Sequence, residues 1–328
     1  MMELKKIITR LIMGVMPFTA CTKDKVQPEN IYAKTGIAAV VNSNFSLSLC
    51  KYALLTTHYN DTLSKPGPYT LLGPSNDAFT AAGWPSGAAI IRASDSLQAM
   101  MPYHFIRAAI KMDSLPLAFN QPLMAGNGQP LYVTHWVNSR DTAVVVNGVR
   151  VSTLDKPAAN GLVNITDGIL NPIVYNDVQQ AVSGDPSLSM FNAAIIKSGL
   201  APDYNNGGPY TVFAPVNTAF NAIGIMTVDS IYKMDAATLQ KIVKAHIATG
   251  RNFIYDYILK ADVTTNTYQE HMLSGAISTI TLVADPVRQG RFSGIILQTA
   301  SSANVSISRK NILAGNGVVH SISGLLNQ

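Results

Sequence analysis

An eleven-residue segment occurs twice in the chain. Tyr69-Thr-Leu-Leu-Gly-Pro-Ser-Asn-Asp-Ala-Phe79 returns as Tyr210-Thr-Val-Phe-Ala-Pro-Val-Asn-Thr-Ala-Phe220, identical at six of eleven positions and 141 residues further on. Upstream, the apolar, helically spaced Phe45–Leu55 corresponds to Leu188–Leu200. Each is followed by a Gly/Pro loop, Lys65-Pro-Gly-Pro68 or Asn205-Asn-Gly-Gly-Pro209. Downstream, His104 stands opposite His246, and Asn160-Gly-Leu-Val-Asn-Ile-Thr-Asp-Gly-Ile-Leu170 opposite Asn316-Gly-Val-Val-His-Ser-Ile-Ser-Gly-Leu-Leu326. Two copies of one pattern require two copies of one architecture, each with its own core. The expected domains are 31–176 and 177–328. Pro172 and Asn176-Asp177 mark the junction, ahead of a helix-like stretch from Val178 to Leu200. The offset grows to 156 by the closing motif, so the second copy carries about fourteen extra residues within 250–300. Insertions fall in loops, and loops carry function, so a domain-specific surface is expected there.

The motifs have local physical readings. Tyr-Thr-Leu-Leu and Tyr-Thr-Val-Phe are β-branched and aromatic and favour a strand, which Pro74 and Pro215 end. Asn76 and Asn217 then fit the N-cap of a short helix, with Phe79 and Phe220 facing inward from its first turn. Asn160-Gly and Asn316-Gly are tight-turn signals. Strand alternation marks Ile277–Ala284 and Val305–Arg309. Helices early and strands late make each unit α+β.

The N-terminus reads as a targeting signal. Lys5, Lys6 and Arg10 precede an apolar run, Leu11–Phe18, too short to span a bilayer and ending in Thr19-Ala20-Cys21. Small residues before a cysteine resemble the lipobox of bacterial lipoproteins, in which the cysteine is acylated and residues 1–20 are removed. The alternatives are an ordinary signal peptide cut near Ala20 or an uncleaved anchor. Residues 21–30 read as a polar tether, and Lys23-Asp24 resembles the export tag of Bacteroidota-type surface lipoproteins. With Cys21 acylated, Cys50 has no disulfide partner and is expected as a small buried hydrophobe. Lys and Arg occur at most in pairs, so the net charge of +5 gives no stripe for a phosphate backbone, and nucleic acid is not an expected partner.

Together, the two end motifs and the mid-domain histidine resemble the fasciclin (FAS1) domain, in two tandem copies over nearly all of the mature chain. The resemblance implies a compact β-sandwich or wedge of two packed sheets with several helices, in an extracellular or cell-surface protein. It implies adhesion or matrix-type interaction without general catalytic activity. The family-motif positions are Asn76, Phe79, Tyr103, His104, Asn217, Phe220, His246 and His320. The family's mid-domain Tyr-His pair, linked in some animal members to receptor binding, is kept as Tyr103-His104 but is Ala245-His246 in the second copy. The closing His is His320 but Asn164 in the first copy, which argues against one shared His-based surface.

No chemistry is evident. The six histidines include no i, i+4 pair and accompany no Cys cluster, so no metal or cofactor is expected. A Gly-x-Ser-x-Gly elbow and a phosphate loop are both absent, and no signature supports an Asp pair for glycoside hydrolysis. Asp61-Thr-Leu, Asp95-Ser-Leu, Asp113-Ser-Leu, Asp141-Thr-Ala and Asp229-Ser-Ile resemble Bacteroidota-type O-glycosylation acceptors, though Asp-Ser and Asp-Thr also start helices and turns. Trp84, Tyr132, Trp136, Tyr255 and Tyr257 could stack on sugar rings or complete the core. The expected function is therefore a lipid-anchored envelope protein, at the outer membrane and facing the surface. It would bind an envelope or extracellular protein or glycan, touching the membrane through its lipid alone. The alternative is an accessory polysaccharide binder of an outer-membrane uptake system.

Overall fold

The structure is a computed structural model and describes residues 35–299 and 303–326. The expected leader 1–20, Cys21 and the tether 21–30 lie outside the described residues. In the first repeat, helices Ile37–Ser43, Ser48–Thr56 and Tyr59–Leu63 precede β1 (Tyr69–Pro74), and helices Asn76–Ala81, Gly87–Arg92 and Ser94–Met100 follow it. The short β2 (Phe105–Ile106) leads to β3 (Ala118–Met124), β4 (Pro130–Val137), β5 (Thr142–Val146), β6 (Val149–Ala158) and β7 (Gly161–Thr166). The second repeat retraces this path. Helices Val178–Ser183, Ser189–Lys197 and Ala201–Asn206 lead to β8 (Tyr210–Pro215), and three more helices, Asn217–Asn221, Val228–Tyr232 and Ala236–Ala245, follow it. Then come β9 (Ile247–Thr249), helix Ile254–Lys260, β10 (Thr267–His271), β11 (Ile277–Ala284), β12 (Phe292–Gln298), β13 (Val305–Ala314) and β14 (Gly317–Ile322). The expected helix-like stretch 178–200 is broken at Pro186, which opens a 3₁₀ turn because proline cannot donate inside a helix.

Each repeat holds one seven-stranded sheet, ordered β2-β1-β7-β6-β5-β4-β3 and β10-β11-β12-β13-β14-β8-β9. The long β6 and β13 carry register shifts and bend the sheet. Its two halves therefore face each other across a core in which Leu72 of β1 meets Val133 of β4 and Val144 of β5. In the second repeat Phe213 of β8 meets Ile280, Ile295 and Tyr257. The helices cover the other face of β1 and β7, or of β8 and β14, with Phe79 and Phe220 fully buried beneath them. This is the expected α+β wedge with several helices.

Within each sheet the first long strand pairs in parallel with the last. Tyr69–Pro74 aligns with Gly161–Thr166, and Tyr210–Pro215 with Gly317–Ile322. The backbones are so close there that a Cβ on Gly161 or Gly317 would collide with the carbonyl oxygen of Tyr69 or Tyr210. The Asn-Gly motif thus needs its glycine for the approach of β1 as well as for the turn.

Candidate functional site

The motif asparagines act as long-range clasps. Asn160 Oδ1 accepts from the Ile37 N–H (2.8 Å), while its Nδ2 donates to the carbonyls of Leu63 (2.8 Å) and Lys65 (2.7 Å). Asn316 repeats this, accepting from Val178 N–H (2.8 Å) and donating to Tyr204 (2.7 Å) and Gly207 (2.8 Å). Each asparagine ties the first helix of its repeat to the third helix and to the loop that leads from it into the parallel strand. Asn76 and Asn217 depart from the N-cap expectation. Ser75 caps the Asn76–Ala81 helix, and Val216 occupies the equivalent cap position with no side-chain bond. The asparagines reach back instead. Asn76 accepts from Leu49 N–H (2.9 Å) and donates to Phe45 O (2.8 Å); Asn217 accepts from Met190 N–H (3.0 Å) and donates to Pro186 O (3.0 Å).

The histidines are also internal. His104 Nε2 accepts from Leu170 N–H (2.9 Å), so its proton sits on Nδ1, which donates to Met100 O (3.1 Å). His246 does the same between Leu326 N–H (2.9 Å) and Ile242 O (2.7 Å). His320 Nδ1 accepts from Asn311 N–H and its Nε2 donates to Asn252 O, each at 3.0 Å. Desolvation lowers all three pKa values to about 4, so the rings are neutral at physiological pH. Tyr103 is fully buried, its hydroxyl donating to Pro130 O and accepting from Asn147 Nδ2, each at 2.7 Å. Its Ala245 counterpart removes this link from the second repeat. The Cys50 thiol is buried and pushed up to about 12 by desolvation. Among the described residues no group of His, Cys, Asp and Glu could hold a metal ion, and no helix is long and apolar enough to cross a membrane.

The expected aromatic platforms are largely packing. Trp84 lies 6.3 Å from Phe79 and Trp136 4.7 Å from Phe119, centroid to centroid, and Tyr257 is fully buried. Of the Asp-Ser/Thr tripeptides, Ser96, Ser114 and Thr142 are exposed, while Thr62 and Ser230 are half-buried.

The extra residues of the second copy are spread over helix Ile254–Lys260 and the segments on either side of β12. The helix departs from the expected free surface, because it docks on the first repeat. Asp256, fully buried, accepts from Thr134 Oγ1 (2.8 Å) and Asn120 Nδ2 (3.1 Å) across the junction and from its own helix start, Phe253 N–H (2.8 Å). Desolvation raises its pKa against the pull of those bonds. At the other end, Asn138 and Arg140 of the first repeat donate to the last carbonyls of the helix, Leu259 (3.0 Å) and Ile258 (3.1 Å). A cation there also meets the negative end of the helix dipole. Arg251 stacks 3.8 Å over the Tyr132 ring, and Leu259 packs between Ala143 and Val145. These junction residues have no counterpart in the repeat pattern. The one signal was Asp256 itself, a carboxylate inside the apolar run Phe253–Leu259.

The fasciclin domain family model matches residues 46–172 and 186–328. The chain belongs to the fasciclin family. Over 300 residues it is 27% identical to transforming growth factor-beta-induced protein ig-h3 of Sus scrofa, covering 90% of this chain and 39% of that protein. Periostin of Homo sapiens is 26% identical over 288 residues, 84% of this chain and 31% of its own length. The cell surface glycolipoprotein MPB83 of Mycobacterium bovis is 37% identical over 89 residues, 26% of this chain and 40% of its own. The fasciclin chain thus spans well under half the length of these relatives. A FAS1 domain pair from the insect cell adhesion molecule Fasciclin I is similar at TM-score 0.41 and 17% identity, covering 86% of this chain and 97% of that one.

Proposed function

We propose that this fasciclin protein is a noncovalent interaction protein of the cell envelope, held to the outer membrane by lipid on Cys21. It would present its domains, 31–176 and 177–328, as one body for adhesion or for organising surface assemblies. The observation that supports this best is the use made of the motif residues. Asn76, Asn217, His104, His246 and His320 are all engaged in holding the fold, which leaves the paired domains as a rigid scaffold with binding on its surface. That use supports a reading of binding rather than catalysis. The relative named a cell surface glycolipoprotein supports a surface location. Cells lacking the protein should detach more readily under flow. The wild-type gene should restore adhesion, whereas Cys21→Ala should move the protein to the soluble fraction and fail to restore it. Unchanged fractionation of that variant would end the anchor reading; unchanged detachment of the deleted strain would end adhesion. Accessory polysaccharide binding is the second reading, and a cleft between the domains favours it.

A further inference from the structure

A cleft of about 320 Å³ opens where the two domains meet, within the ~300–1,000 Å³ usual for small-molecule sites. Its first-domain wall is Gly148–Arg150 and Asp167-Gly168. Its second-domain wall is helix Ile254–Lys260, the 285–293 segment and Lys310-Asn311 of β13. Four cations reach it, from Arg150, Arg288, Arg291 and Lys310. Their compensation is incomplete. Asp141 alone serves both Arg150 (3.1 Å) and Arg291 (2.6 Å). Arg288 is 64% exposed and stands 3.9 Å from Asp167, near the limit of an ion pair. Asp285 is occupied by the backbone N–H groups of Val287 and Arg288 (2.9 Å each). Lys310 meets only the Ser293 carbonyl, at 3.5 Å, among the described residues. Among the described residues the Nε of Arg150 is buried without a hydrogen-bond partner.

Between these cations the walls are apolar, formed by Val149, Ile254, Tyr255 and Phe292. An inorganic anion would satisfy the guanidiniums and leave those walls wetted. A sugar acid matches both halves, since a pyranose ring offers a C–H face to aromatic and aliphatic walls and its carboxylate suits a guanidinium fork. We propose that the interdomain cleft binds a carboxylated saccharide, a uronate unit of an acidic polysaccharide, with Arg288 and Lys310 as its most weakly compensated cations. This deepens the polysaccharide reading and rests on it. The site needs both domains, so the helix that docks them also builds the binding wall.

The test is calorimetric titration of the purified full chain at low salt with trigalacturonate, its methyl ester and inorganic phosphate. Trigalacturonate should bind saturably, with the ester at least tenfold weaker and phosphate weaker still. The double variant R288A/K310A should lose at least tenfold in affinity at an unchanged thermal midpoint, because both side chains are exposed. Absence of binding at millimolar trigalacturonate, equal binding by the double variant, or phosphate or the ester matching the acid would each overturn the assignment. A parallel array of neutral polysaccharides separates the two levels. Binding there without trigalacturonate binding overturns the cleft alone, whereas a blank on both ends the polysaccharide reading as well.

Discussion

His104, His246 and His320 each lie in a fully buried site where both ring nitrogens bond to backbone, and a second proton has nowhere to go. Their pKa values fall from about 6.5 unfolded to about 4 folded. Each therefore contributes stability that is complete above pH 6.5 and is lost as pH falls through 4, on the order of 3 kcal/mol per ring. Asp256 and Glu270 act in the opposite sense. Burial raises their pKa values, so their contribution is complete below the ordinary carboxylate range and is lost as pH rises through the raised value. With three histidines pulling one way, urea midpoints should decline steadily from pH 6.5 to 4. His246→Gln, which cannot titrate, should remove roughly a third of that slope while lowering stability at pH 7. A slope unchanged in the variant would show that the ring is not titrating between those limits. Asp256→Ala leaves the Thr134 hydroxyl, the Asn120 amide and the Phe253 N–H without their shared acceptor. It should cost about 3 kcal/mol in denaturant unfolding.

At the scale of elements, the Asn-Gly turns hold more than a hairpin. Asn316→Ala removes three hydrogen bonds that join the Val178–Ser183 helix, the Ala201–Asn206 helix with the loop after it, and the β13–β14 turn. The expected loss is about 2–3 kcal/mol by chemical denaturation, with Asn160→Ala similar in the first domain. Gly161→Ala should be at least as costly, since the side chain meets the Tyr69 carbonyl. Much of this level was legible in the sequence. The repeat predicts β1 and β8 at equivalent positions, alternation places β11 at Ile277–Ala284, and Phe79 and Phe220 point inward as their spacing requires. Asn76 and Asn217 were misplaced because the capping rule is local, whereas their partners lie 27 residues upstream in a helix that packs only after folding. The docking helix was harder still. A repeat reveals what two copies share, and Asn138, Arg140 and Asp256 work because the copies differ.

For the molecule as a whole, the buried Asp256, the Arg140 clasp and the Arg251–Tyr132 stack couple the two domains. Calorimetry at neutral pH should show one transition whose calorimetric and van't Hoff enthalpies agree for the full described fold. Arg140→Ala, which also frees Phe292 from its stacked guanidinium, should separate that transition into two. Two transitions in the wild type would mean that the junction is weaker than its bonds suggest.

The parallel pairing of β1 with β7 also sets how the protein answers a pull. The chain comes into the first domain at Ile37, pinned by Asn160 beside the start of β7, and leaves at Leu170, pinned by His104 beyond its end. Val178 with Asn316, and Leu326 with His246, do the same around β14. Tension along the chain therefore runs lengthwise through the closing strand and loads its ladders to both neighbours together, in shear, instead of unzipping them one bond at a time. In single-molecule stretching each domain should resist until that ladder slips, and Asn160→Ala should give way at lower force. With the proposed lipid on Cys21, drag from moving fluid would act along this axis.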